Sequence, residues 1–362
     1  MKTLCRIIPV LLACLFLGGC GQSSPERLVK KELESIKKLD QETIENFISY
    51  EDITKNQTLQ TDVGEESVEA VKLFFQNFSY KIKSSKTEDD SAYVSVEITN
   101  LDAKALAKDL CLTLLTRSLD PGSSEDYPLS INDYFSVLGT LLKEKTYDTV
   151  TTDAHFELVH LENGWSIQSS ENLEDELVGG LITYLNDPFL LTPEENARAV
   201  LDMMKGFTAD DWSAYLDLND IFATGSEYYQ EVDQSLASQI ASCFDYTIVS
   251  AETDENGTDA TVDVTVTSLD LSSVLDSFRE KLVEYASTTE SLRDSYTEQT
   301  NQTALYLKEA LDENQASADF STTITFHNDG SSWEMMFADD FSSILLGGST
   351  QAISEFSSGT TS

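Results

Sequence analysis

The hydrophobic residues of this chain recur with two different periods, and each period predicts one kind of element. Val29, Leu33 and Ile36 are spaced four and then three residues apart, as on one face of a helix. From Val94 to Ile98, every second residue is apolar and the residues between are polar. That alternation is typical of a strand with one face in a core and the other in water, as in an antiparallel sheet.

The same pattern occurs twice along the chain at a constant offset. Ala92 to Asp102 recurs as Ala260 to Asp270, which is 168 residues later. Phe78 and Tyr80 recur after 166 residues, so we place a two-residue insertion in the hairpin that follows. The other landmarks at 168 residues are Pro25 with Pro193, Trp165 with Trp333, and Leu177 to Gly180 with Leu345 to Gly348. A constant offset over separated landmarks indicates two copies of one domain.

Each copy is predicted to contain three helices, two strands, a helical insertion and two more strands. Ser24 and Thr192 are the expected N-caps, each followed by a proline in the first turn. A second helix is predicted at Gln41–Ser49, with its counterpart at Ala209–Leu216. A third helix carries Val68, Val71, Phe75 and Phe78 on one face. The helical insertions are expected at 102–118 and 130–145 in the first copy, and at 270–290 and 298–313 in the second. Strands are expected at about 78–86 and 244–252, and hairpin turns at Asn163-Gly164, Asn256-Gly257 and Asp329-Gly330. Helices beside an antiparallel sheet make an α+β domain.

The helical insertions carry apolar stripes that could either pack inside their own copy or bind a partner. Packing inside the copy is the favoured interpretation. The stripes are Tyr134, Leu138 and Leu141 in the first copy, and Leu271, Val274, Leu275, Phe278 and Leu282 in the second.

The first 24 residues have the order of a secretory signal followed by a short tether. Lys2 and Arg6 precede an apolar run from Ile7 to Leu17, and small residues then lead to Cys20. The run is much shorter than the roughly 20 apolar residues that a membrane-spanning helix needs. Leu17-Gly18-Gly19-Cys20 resembles the lipobox of bacterial lipoproteins, and an ordinary secretory signal is the alternative. The resemblance implies cleavage before Cys20 and lipid attachment to its thiol, with the mature protein on the extracellular side of the cell membrane.

These patterns define the expected domain boundaries. They are a signal peptide at 1–19, a lipidated tether at 20–24, a first repeat at 25–190, a second repeat at 191–348 and a flexible tail at 349–362.

The charge of the chain is strongly negative and unevenly distributed. The formal net charge is −41, with 15 basic and 32 acidic residues at 21–192 but 6 basic and 32 acidic residues at 193–362. A nucleic-acid-binding protein needs a basic surface, so nucleic acid is excluded as a partner. A solvated exterior is the favoured explanation for the acidity, and capture of calcium or another cation is the alternative.

Few residues are candidates for chemistry. His155, His160 and His327 have no partners at metal-ligand spacing, and the adjacent carboxylates Asp210-Asp211 and Asp339-Asp340 carry no specific acid–base signal. Cys111 and Cys243 are expected to be buried free thiols, with a disulfide between them as the alternative. Tyr80, Tyr246, Trp165 and Trp333 are expected to be core aromatics rather than pocket groups. We therefore expect no catalytic residues, no metal site and no cofactor.

The order of elements resembles the NTF2-like or cystatin-like cone, which occurs in tandem in cell-surface lipoproteins of Gram-positive bacteria. The helical insertion departs from the simplest form of that cone. The resemblance implies a non-enzymatic binding protein of the cell envelope, with an envelope protein, a peptide or a small molecule as ligand. The alternatives are an enzyme that uses a cone pocket and a structural spacer or assembly factor.

Overall fold

A computed structural model describes residues 24–39, 65–120, 131–218 and 227–359 of the chain. The chain divides into two compact units, and the main division falls between Leu191 and Thr192. The signal peptide, Cys20, the helix expected at Gln41–Ser49 and most of the loop after Asp120 lie outside the described residues.

Each unit begins with a helix that is capped at its first turn. In the first unit the Ser24 hydroxyl accepts a hydrogen bond from the Arg27 N–H, and Pro25 occupies the first helical position. In the second unit Thr192 forms a capping box with Glu195, and Pro193 takes the equivalent place. A capping side chain satisfies a backbone donor that the helix itself leaves unpaired, which stabilises the helix by about 1 kcal/mol.

The first unit contains ten described elements, of which eight follow the predicted order of helices, two strands, a helical insertion and two strands, and two short helices come after them. Its helices are α1 (Pro25–Lys38), α2 (Glu65–Phe74), α3 (Ala103–Leu119), α4 (Ile131–Glu144), α5 (Glu171–Leu177) and α6 (Leu181–Leu185). Its strands are β1 (Ser79–Glu88), β2 (Ser91–Leu101), β3 (Thr149–Leu161) and β4 (Gly164–Gln168).

The second unit repeats this order. Its helices are α7 (Pro193–Lys205), α8 (Ala209–Tyr215), α9 (Glu227–Cys243), α10 (Leu271–Ala286), α11 (Tyr296–Glu313), α12 (Phe341–Leu345) and α13 (Ser349–Ser358). Its strands are β5 (Asp245–Thr253), β6 (Asp259–Leu269), β7 (Ser317–Asn328) and β8 (Trp333–Met336).

Each unit contains one four-stranded antiparallel sheet whose strands follow one another in chain order. The pairing shifts at the same place in both first hairpins, between Ile82 and Ser84 in β1 and between Ile248 and Ser250 in β5. Such a bulge adds one residue to one strand and bends it. The two units therefore share an irregular feature as well as their regular elements. The α+β class with two tandem helix-plus-sheet domains is confirmed.

The cores lie between the helices and one face of each sheet. On β2 the side chains from Val94 to Ile98 alternate between buried and half-buried positions, as the sequence predicted. Leu33 of α1 is fully buried in the same cluster. Burial of one such side chain contributes about 1.5–3 kcal/mol relative to exposure, so the alternation also determines which face of the sheet remains free.

The apolar stripes of the helical insertions contribute to these cores. Tyr134 and Leu141 of α4 are buried in the cluster of the first unit, and Leu138 is partly buried against it. In the second unit Val274 and Phe278 of α10 are buried, whereas Leu271, Leu275 and Leu282 are half-buried. The described part of the chain therefore favours packing inside each unit over an exposed binding stripe.

Two expectations differ from the structure. The helix expected to carry Phe75 and Phe78 ends at Phe74, so these two rings are buried from the turn before β1 instead. The segment from 349 onward, expected to be a flexible tail, contains α13 over Ser349–Ser358. The ring of Phe356 stacks on Phe278 of α10, and its carbonyl oxygen accepts a hydrogen bond from Arg279 at 2.7 Å. Ala352 of the same helix is buried as well, so two apolar residues in a polar segment dock this short helix.

Candidate functional site

Two tyrosines that recur in the repeat join the first helix of each unit to its first strand. The Tyr80 hydroxyl donates to Glu34 at 2.7 Å, and the Tyr246 hydroxyl donates to Asp202 at 2.5 Å. Burial and the bond to the carboxylate raise the pKa of each tyrosine to about 12. Both hydroxyls therefore stay protonated near neutral pH and act as donors, not as bases. These half-buried tyrosines each link a helix to a strand. Tyr80 also packs against the core of the first unit, so the expectation of core aromatics holds in part.

The two repeat-equivalent tryptophans have different surroundings. Trp333 is buried and meets Phe326 edge to face. Trp165 is only partly buried and lies against the exposed ring of His160, with 4.9 Å between the ring centroids. The expectation of a core aromatic therefore holds for Trp333 and only in part for Trp165.

The three histidines are exposed, but His160 and His327 lie on opposite faces of their sheets. On β3, His160 follows the inward positions Phe156 and Leu158, whereas on β7 His327 has the parity of the outward positions. A shift of one residue along a strand moves a side chain to the other face, so near-equivalence in sequence does not place these two residues alike.

His327 and His155 each have a carboxylate partner. The His327 ring nitrogen Nδ1 lies 2.8 Å from Asp259, and the hydrogen bond to this carboxylate raises the pKa of the imidazole. His155 lies 3.2 Å from Glu176, which also accepts the backbone N–H of His155 at the edge of β3. Neither pair forms part of a cluster of three or more metal-ligating side chains within the described ranges.

The remaining candidates have structural surroundings. Asp211 caps α8 by accepting from Thr208, and this bond lowers the pKa of the carboxyl. Asp340 is the residue before α12. Cys111 and Cys243 are free thiols, each half-buried, and burial raises the pKa of Cys243 to about 11. A thiol with a raised pKa is a weak nucleophile at neutral pH.

A groove of about 410 Å³ lies on the outward face of the second sheet, near its hairpin turns. Met336 supplies its exposed apolar side chain, and Ala260 and Phe326, whose side chains are buried on the inner face, also border it. Its acidic residues are Glu252, Asp254 and Asp259, and its threonines are Thr253, Thr261 and Thr325. The volume is within the range of sites that hold small ligands or single side chains.

Cross-strand pairing explains how these distant residues come together. Glu252 of β5 pairs with Thr261 of β6, Thr261 pairs with Thr325 of β7, and Thr325 pairs with Met336 of β8. The four side chains form one row across the sheet, because residues that pair in register point to the same face. We call Glu252, Thr261, Thr325 and Met336 the second-repeat row.

The turn beside the row orders the Asp254 carboxylate. Asp254 accepts hydrogen bonds from the backbone N–H groups of Thr258 and Asp259, and these bonds lower its pKa. Gly257 adopts a φ of 72°, which glycine tolerates without strain. This is the turn expected at Asn256-Gly257, and it carries the two residues by which the second hairpin is longer than the first. The groove therefore has fixed negative charge on one side and the Met336 side chain on the other.

The sequence analysis missed this groove. Its residues are dispersed over 252–336, and none belongs to a recognisable motif. A usable signal was present in the repeat itself, because the second-repeat row departs in residue type from the equivalent positions of the first copy.

Comparisons with known proteins add little to this description. No family model matches the chain. No curated protein matches it either. The chain is similar to a solved structure described as a "putative lipoprotein (ycdA)" from Bacillus subtilis subsp. subtilis str. 168, at 16% sequence identity and a TM-score of 0.26, over 75% of this chain and 93% of that one. A TM-score this low carries no argument about fold or function.

Within the described ranges, no helix has both the length and the apolar character that a membrane crossing requires.

Proposed function

We propose that the protein is a lipid-anchored, non-enzymatic binding protein on the extracellular side of the cell membrane. The observation that carries binding is the groove on the second sheet, which combines an apolar surface with carboxylates that project into solvent. Binding sites commonly combine such a surface with a few polar groups that orient the ligand. The anchor is supported by the order of charge, apolar run and small residues before Cys20.

The expected fold family is part of the same proposal. Two tandem helix-plus-sheet units are consistent with NTF2-like domains, and their core aromatics support binding on an outer surface rather than inside a cone. Phe326 and Trp333 occupy the inner side of the second sheet, and Phe74, Phe75 and Phe78 lie in the core of the first unit.

The anchor is tested by metabolic labelling with an alkyne-bearing fatty acid. Cys20→Ala should abolish labelling and release the protein from the membrane fraction, because acyl chains provide the membrane affinity at roughly 0.8 kcal/mol per buried CH₂. Cys111→Ala is the matched control, since it removes a different thiol, and it should leave labelling unchanged. Labelling that persists in Cys20→Ala would overturn the lipid anchor.

A further inference from the structure

The two repeats carry different residues at the four positions of the groove row. In the first unit the equivalent row is Lys86, Tyr93, Glu157 and Gln168, which pair in the same register. In the second unit Glu252 stands in place of Lys86, and Thr261 stands in place of Tyr93. A cation and a large ring in one copy are therefore replaced by an anion and a small side chain in the other.

In the first repeat, the lysine of the row is paired with a carboxylate of the same hairpin. The Lys86 ammonium forms an ion pair with Glu88, and Lys86 is the cross-strand partner of Tyr93. Glu88 is the residue that aligns with Asp254 in the second repeat, since both directly precede the turn of the first hairpin. The first unit thus gives an example, from the same chain, of an ammonium group paired with a carboxylate at the equivalent position of its sheet.

The second repeat has the carboxylates of this arrangement without the lysine, and of these carboxylates Asp259 is paired with the His327 ring. Glu252 is exposed, and its side-chain carboxylate forms no hydrogen bond or ion pair with any residue that the structure describes. Asp254 and Asp259 border the same groove, and Met336, which is 47% exposed, lies on its other side. An aliphatic chain can cover the exposed methionine while a charged head at its end stays near carboxylates and water.

We propose that this groove binds a lysine side chain of a partner peptide or protein segment, in the place that Lys86 occupies in the first repeat. The lysine stem lies along Met336, and its ammonium group lies between Glu252 and Asp254. The proposal deepens the proposed binding function, on which it rests, by naming the chemistry of the ligand. Charge complementarity selects a cation, and the apolar surface selects a cation that has an aliphatic stem.

The adjacent strand favours a peptide as the source of the lysine. β1 and β5 are both edge strands of their sheets. β1 carries Lys81, Lys83 and Lys86, whereas β5 has no lysine or arginine. Charged side chains, lysine above all, protect an edge strand from pairing with another chain. The second repeat lacks that protection on the strand that carries Glu252, so an extended segment can approach the groove there.

The test uses methyl NMR of the full-length protein in detergent micelles. Beyond Met1, the chain has methionines only at 203, 204, 335 and 336. Nα-acetyl-lysine-methylamide should shift the Met336 methyl signal in a saturable way, with a dissociation constant of about 1 mM because exposed ion pairs contribute little. The signals of Met203 and Met204 on α7 should not move. The Nε-acetylated form of the same compound, which has no charge, should bind about tenfold more weakly or not at all.

Two charge-reversal variants separate the groove from general attraction to an acidic protein. Glu252→Lys places the first repeat's lysine in the second repeat and should abolish the Met336 shift. Glu255→Lys makes the same change in the same hairpin loop, at a residue that does not line the groove, and should preserve it. Equal loss in both variants would overturn the proposal, as would equal binding of both lysine compounds or the absence of any Met336 shift. None of these outcomes changes the labelling test of Cys20, so the groove and the anchor fail separately.

Discussion

Asp259 contributes to two features of the second unit at the scale of single residues. It borders the groove, and it is the cross-strand neighbour of His327, whose ring nitrogen it contacts. A carboxylate beside an imidazole favours the protonated ring, so the pKa of His327 is raised above its ordinary value of about 6.5. The charge of the groove rim therefore depends on the protonation of His327.

The sign of this pH dependence follows from the direction of the shift. A raised pKa in the folded state means that the pair stabilises the fold fully below the unfolded pKa of about 6.5, and that this contribution is lost as the pH rises through the folded value. A ¹H–¹⁵N titration of the His327 ring should show a midpoint above 6.5, and Asp259→Asn should move that midpoint down. Asp263→Asn, on the same face of β6, should leave it unchanged; a midpoint that Asp259→Asn does not move would contradict the pair.

At the scale of elements, a pair of glycines connects the last two helices of each repeat, α5 to α6 and α12 to α13. Gly179 and Gly180 in the first unit, and Gly347 and Gly348 in the second, all have positive φ. At Gly347 an added Cβ would overlap the carbonyl oxygen of Leu269 at the end of β6. Gly347 thus serves a close approach between the turn after α12 and the sheet, whereas an added Cβ at the equivalent Gly179 would meet only Ala103, at an ordinary contact distance of 3.6 Å.

Gly347→Ala should destabilise the second unit more than an alanine at another glycine with positive φ. A left-handed backbone costs a non-glycine residue about 1–2 kcal/mol, and overlap in a packed region adds about 1–3 kcal/mol. Gly330→Ala is the matched control, because Gly330 has a φ of 87° but no atom within 4 Å of the added Cβ. Urea unfolding of the two variants measures the difference in the free energy of unfolding, and equal losses would show that Gly347 serves the turn alone.

The recurrent elements also show how far local patterns predict structure. Val94 to Ile98 and their counterparts in β6 were placed correctly because alternation with period two is visible within five residues. α13 was missed because its docking depends on Phe356 meeting Phe278, 78 positions earlier in the chain. His160 and His327 could have been assigned to opposite faces from their parity alone.

At the scale of the whole molecule, charge is the dominant property. The segment 193–362 carries 32 acidic and 6 basic side chains. Of those six, Arg198, Lys205, Arg279, Lys281 and Lys308 each form an ion pair with a carboxylate inside the second unit. Most of the carboxylates are therefore left without a cationic partner, and their mutual repulsion opposes the compact state.

Added salt should raise the melting temperature for this reason. Between 0.01 M and 0.15 M ionic strength the Debye length falls from about 30 Å to about 8 Å, which screens repulsion between separate carboxylates more than it weakens close ion pairs. Calorimetry at pH 7 should show the increase, and the effect should shrink near pH 4, where carboxyl groups are partly protonated. A melting temperature that falls with salt would mean that ion pairs outweigh repulsion.

The sequence by itself determined the duplication, the α+β class, the inward and outward faces of the strands and the predicted anchor at Cys20. These features depend on periods and spacings that are local in the chain, or on one constant offset. Only the tertiary structure decided that Glu252, Thr261, Thr325 and Met336 meet in one row. Their meeting depends on the bulge in β5, the length of the following hairpin turn and the register of three strand pairs, and each of these is selected by packing against the core rather than by the residues of the row.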